Sequence, residues 1–96
     1  MNKVKDFEDV LLEKYGAKGT VKRDIYEAKS LAFRLGAMLK EARKEAKMTQ
    51  EQLAEKTGTN KSYISRIERG KSDIQVSTYS KLIEIGLGKR LLIHIT

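Results

Sequence analysis

Ninety-six residues suffice for one compact domain but not two, and a chain this short buries only about 60 to 65% of its unfolded surface, so dimerisation would be a natural support. There is no Cys, which excludes thiolate nucleophiles, thiolate metal sites and a disulfide framework, and no apolar run long enough for a secretory leader or a membrane span. The net charge of +7 fits a polyanionic partner and is uneven: residues 1–20 are balanced, residues 21–48 carry +4, and the remainder carries +3.

In chain order, Val4, Phe7, Val10, Leu11 and Tyr15 recur at helical spacing until Gly16 and Gly19 interrupt the pattern. Thr20 is placed to cap the next helix, whose apolar stripe runs Val21, Ile25, Ala28, Ala32, Leu35, Leu39, Ala42 and Ala46. Gly36 lies inside that stripe and costs about 1 kcal/mol there relative to Ala, which leaves open whether the helix is continuous through it. Three short helices follow. Thr49 caps the first, which Gly58 ends; Asn60 caps the second, Lys61 to Arg69, which Gly70 ends; Ser77 caps the third, Thr78 to about Ile85. The tail, Lys89 to Ile95, is short, apolar and rich in β-branched residues after two glycines, which predicts a strand.

The stretch Thr49 to Lys71 has the layout of two helices crossing steeply at a tight turn. Such a turn needs a small residue at the contact and a permissive residue at the corner, and Ala54 and Gly58 supply them. Leu53, Ile64 and Ile67 then form the shared seam. With Ile64 and Ile67 inward, Lys61, Ser62, Ser65, Arg66 and Arg69 face outward. Gln50 opens the first of the two helices, where its amide and the free backbone N–H groups suit a phosphate. Asn60, Tyr63 and Lys71 are further phosphate candidates, with rim packing an equal alternative for Tyr63. Arg69 and Lys44 read better as solvated surface.

The segment LKEARKEAKMTQEQLAEKTGTNKSYISRIERGKSDI resembles the phage-repressor helix-turn-helix family, the Xre or Cro/cI type, from about Leu35 to Gly86. That resemblance implies an all-α fold, a phage-repressor-like bundle, here with an N-terminal helical arm and a short C-terminal β-strand where the family has a further helix. It also implies that Lys61, Ser62 and Arg66 enter the major groove as base readers, and that Arg43 and Glu68 form a buried ion pair. The expected organisation is an arm over 1–30, a DNA-binding domain over 31–88, and a dimerisation strand over 89–96 burying Leu91, Ile93 and Ile95 against a symmetry mate, with a strand padding its own helices as the alternative.

The whole layout, with KYGAKGT, LGAMLKEARKEA and GLGKRLLIHI, is similar to HigA-type antitoxins. That likeness implies a homodimer that represses its own operator on double-stranded DNA and neutralises a small basic ribonuclease toxin of the RelE/HigB fold. The arm would bind that partner through Phe7, Val10, Leu11, Tyr15, Ile25 and Tyr26. Two other readings of the chain are an arm packed on its own core and a stand-alone repressor without a toxin. A membrane-surface arm is disfavoured by its mixed acidic and basic polar face.

An enzyme is not expected. His94 is the single histidine and has no nucleophile near it in sequence, Glu51 and Glu55 lie on a lysine-rich solvated face, and no Gly-rich phosphate loop is present. No cofactor or metal is expected, and the chain reads as a cytoplasmic protein.

Overall fold

The computed structural model describes residues 20–96, the side chain of Tyr26 excepted. Those residues form helix α1 (Val21–Glu45), α2 (Gln50–Thr57), α3 (Lys61–Glu68) and α4 (Val76–Lys81), and α4 runs into a wide π-helical turn at Leu82–Gly86. The chain divides into two compact units, Met1–Leu31 and Ala32–Thr96.

In the first unit, Thr20 begins α1 by accepting the Arg23 N–H on its hydroxyl at 3.2 Å. Arg23 pairs with Glu27 one turn on at 3.0 Å. Val21 and Ile25, at the start of the apolar stripe, are exposed. Of the arm residues expected to bind a partner, Ile25 is about half exposed; Phe7, Val10, Leu11 and Tyr15, and the side chain of Tyr26, lie outside the described residues.

The second unit holds the core. Leu39 of α1, Leu53 and Ala54 of α2, Ile64 and Ile67 of α3, Tyr79 of α4 and Leu82 and Ile83 of the π turn are buried together. Leu35, Met48, Tyr63, Ile74, Leu87 and Leu91 pack around them. Burying that set is the main stabilising contribution, each large side chain giving roughly 1.5–3 kcal/mol. Tyr79 also donates its hydroxyl to the Leu35 carbonyl at 2.7 Å, tying α4 to α1, and burial pushes that hydroxyl's pKa up.

Local chemistry sets the helix ends. Thr49 and Gln52 make a reciprocal capping box at the start of α2, and Asn60 Oδ1 accepts the Tyr63 N–H at 2.8 Å to start α3. Three helices end in the same paired closure: Met48 to Arg43 and Lys47 to Lys44 after α1, Thr59 to Ala54 and Gly58 to Glu55 after α2, Lys71 to Arg66 and Gly70 to Ile67 after α3. That closure needs a left-handed residue, which is Gly58 after α2, Gly70 after α3, and the less suited Lys47 after α1.

The question left open at Gly36 is answered by α1, which is continuous from Val21 to Glu45. Two expectations need correction. Ser77 is not a cap: α4 starts earlier, after Gln75, with no side-chain cap bond, and its end widens into the π turn. The tail is not a strand, and no strand occurs among the described residues. A strand is defined by backbone pairing, and the second unit offers the tail no neighbouring strand. Instead the Lys89 N–H closes on the Ile83 carbonyl at 3.1 Å and the Leu91 N–H on Glu84 Oε2 at 3.2 Å. Leu91 then packs on the core while Ile93 and Ile95 stay exposed, so these three do not share a face as the strand reading required. No helix among the described residues is long and apolar enough to cross a membrane.

Candidate nucleic-acid interface

The site is built from α2, the turn at Gly58, and α3. Ala54 is buried at the contact between the helices, and Gly58 turns the corner at φ +71°. Because Ile64 and Ile67 are fully buried, the phase of α3 is fixed and its opposite side must face solvent. Lys61, Ser62, Ser65, Arg66 and Arg69 line one shallow concave strip on that side. Lys61, Ser62 and Arg66, the expected base readers, are all exposed there, and Lys71 is exposed just beyond.

The charge of this strip depends on where the one carboxylate of α3 goes. Glu68 is turned inward, its side chain 2% exposed, and meets Arg43 of α1. Arg43 Nε donates to Glu68 Oε2 at 2.7 Å and Nη2 to Oε1 at 3.0 Å, a two-bond fork, while Nη1 donates to the Met48 carbonyl at 2.7 Å. The hydrogen bond that Arg43 donates to Glu68 holds the guanidinium above its ordinary pKa against burial, which pushes it down. With its acid neutralised inside, α3 presents only cationic and hydroxyl groups outside. Net positive charge on such a face attracts phosphate at long range.

The remaining phosphate candidates are placed differently. Gln50 is half-buried and its amide donates to Glu68 Oε1 at 3.0 Å, so it is part of the ion-pair network rather than a fully outward group. Asn60 spends its carbonyl oxygen on the α3 cap. Tyr63 is half-buried against the core, and the Arg66 guanidinium carbon lies 5.8 Å from the centre of its ring. Arg69 Nε bonds back to the Ser65 carbonyl at 3.3 Å, in keeping with a surface role.

Sequence reasoning missed the Gln50 and Met48 contacts. A signal for each existed: a guanidinium has five N–H donors that one carboxylate cannot satisfy, so a buried Arg43 requires a further acceptor such as the Met48 carbonyl, and a buried Glu68 has lone pairs left over for a further donor such as the Gln50 amide.

Residues 39–85 match the helix-turn-helix family model. This stretch is a helix-turn-helix domain. The match spans α2 and α3 with the end of α1 before them and α4 and the π turn after them. The architecture is of the Xre type and implies DNA binding, with α3 in the position of the recognition helix. No curated protein matches the chain.

Proposed function

We propose that the protein is a sequence-specific repressor that inserts α3 into the major groove of its own operator. One observation carries this reading: Lys61, Ser62 and Arg66 stand exposed on one strip of a helix whose only acid is buried and paired. A cation suits guanine O6 and N7, and a hydroxyl can meet any base edge. Lys71 and the free N–H groups at the start of α2 contact phosphate and set the register. The protein works as a homodimer, placing two recognition helices about 34 Å apart or a multiple of that. The exposed Leu92, Ile93 and Ile95 of the tail favour such self-association. The function needs no catalysis and no cofactor, and a cytoplasmic location suits it.

A gel-shift titration with duplex from immediately upstream of the coding sequence tests this. The protein binds that duplex tightly, and log affinity falls with log salt at a slope of roughly −4 to −8, for about five to nine neutralised phosphates. Arg66→Ala weakens binding to that duplex more than to random duplex. Equal loss on both makes Arg66 a phosphate contact, and a flat salt response removes the electrostatic footprint.

We further propose that the repressor is the antitoxin of a two-protein system, neutralising a small basic ribonuclease of the RelE/HigB type through its arm. The support is layout: Met1–Leu31 is a compact unit outside the matched helix-turn-helix stretch, with apolar residues at helical spacing. Co-expression with the product of the neighbouring reading frame tests it. Phe7→Asp with Leu11→Asp abolishes protection from that product and leaves operator binding unchanged. A neighbour that is harmless when expressed alone leaves a stand-alone repressor as the correct reading.

A further inference from the structure

The contact between Tyr63 and Arg66 bears on how the helix reads a base. An arginine on an exposed helical face samples many rotamers, whereas a two-bond contact to guanine needs the guanidinium plane held at one angle. An aromatic ring can restrict that plane. Attraction to the ring uses the flat face of the guanidinium, and hydrogen bonding uses its N–H edge, so one arginine can do both at once.

The geometry around Tyr63 meets the requirements. Its main-chain N–H is fixed by Asn60 Oδ1 at 2.8 Å, and its side chain is packed against the core formed by Ile64, Ile67 and their neighbours. The ring is thus a fixed platform. Arg66 lies three residues on, on the adjacent turn, with its guanidinium carbon 5.8 Å from the ring centre, inside the range of a cation–π contact. Among the cations of the strip, Arg69 is instead tied to its own helix through the Ser65 carbonyl, and Lys61 has no planar fork.

We infer that Tyr63 is a positioning residue: its ring orients the Arg66 guanidinium so that Arg66 selects guanine at one position of the operator. This rests on the reading of α3 as the recognition helix, and it replaces a phosphate contact as the role of Tyr63. The ring acts and the hydroxyl does not.

The test is in vitro selection from a randomised duplex library with the full-length protein and its Tyr63→Phe, Tyr63→Leu and Arg66→Lys variants, together with each variant's affinity for random duplex and its thermal melt. The wild type enriches a site with a guanine position. Arg66→Lys reduces the preference for that guanine about tenfold, since a lysine ammonium has no planar fork for the ring to hold at one angle. Tyr63→Leu reduces it about two- to fivefold, the worth of an exposed cation–π contact. Tyr63→Phe retains it, and the affinity of both Tyr63 variants for random duplex stays at the wild-type level. Tyr63→Phe also guards against misreading a folding defect, because it keeps the ring and its packing. The inference is overturned if Tyr63→Leu keeps the full guanine preference, if Tyr63→Phe loses as much as Tyr63→Leu, or if Arg66→Lys changes no guanine position. Failure of the wild type to enrich any sequence would instead bring down the DNA-reading proposal itself.

Discussion

Replacing Glu68 by Ala is expected to destabilise the protein by about 3–5 kcal/mol, the cost of stranding a buried charge. The carboxylate accepts two bonds from Arg43 and one from the Gln50 amide, all inside 3.0 Å. Without it, Arg43 keeps only the Met48 carbonyl as an acceptor, and its guanidinium sits at a position 8% exposed. For a small domain with roughly 5–15 kcal/mol of total stability, that loss lowers the melting temperature by something like 15–30 °C. The charge pair itself adds little net stability, because desolvating both partners offsets their attraction. Arg43→Met with Glu68→Leu is therefore expected to restore stability to near the wild-type level or above it. Urea unfolding of the three proteins, followed by circular dichroism, checks both statements. An Ala variant within 1 kcal/mol of wild type would mean that water reaches the guanidinium.

Gly36→Ala should also destabilise, by about 3 kcal/mol, although helix propensity alone predicts a gain of about 1 kcal/mol. A Cβ at Gly36 would overlap the Ile67 carbonyl oxygen and lie 3.1 Å from the Ile67 carbonyl carbon and 3.2 Å from that of Glu68. These are backbone atoms of α3 and cannot rotate aside. The glycine lets α1 and the recognition helix meet backbone to backbone, and a methyl group there must push them apart. That displacement also stretches the Arg43–Glu68 fork, which joins the same two helices. Lower stability together with weakened operator binding is the expected pattern, measured by thermal melting and gel shift. A more stable Gly36→Ala variant would show that propensity outweighs the close approach.

These two residues illustrate how much was legible in the sequence. The caps at Thr49 and Asn60 and the turns at Gly58 and Gly70 could be read because each depends on side chains only a few residues apart. The inward phase of Ile64 and Ile67, and so the outward strip of Lys61, Ser62 and Arg66, followed from helical periodicity. The Arg43–Glu68 pair spans 25 residues and could be anticipated only through the family resemblance. Gly36 looked like a weak point in a helix, because its reason for being glycine lies on another helix.

Where the reading failed, long-range packing was decisive. Ser77 has good capping chemistry, but Tyr79 is buried with its hydroxyl on Leu35, and α4 starts before Ser77. The π turn after it packs Gly86 so tightly on Leu53 and Thr57 that a Cβ there would require their methyl groups to shift. Nothing in the local sequence of Leu82–Gly86 announces that widening. The composition of the tail suits a strand, but composition does not supply a pairing partner, and Glu84 takes the Leu91 N–H instead.

The most direct test of the account is a dimethyl sulfate footprint of the wild-type protein on its upstream duplex. The reagent methylates guanine at N7 in the major groove and adenine at N3 in the minor groove. Guanine N7 atoms shielded in two half-sites one helical turn or a multiple apart, with the shielding lost at one guanine per half-site in Arg66→Ala, is the predicted result. Tight binding that leaves every guanine N7 reactive, or that shields adenine N3 alone, would contradict a helix lodged in the major groove.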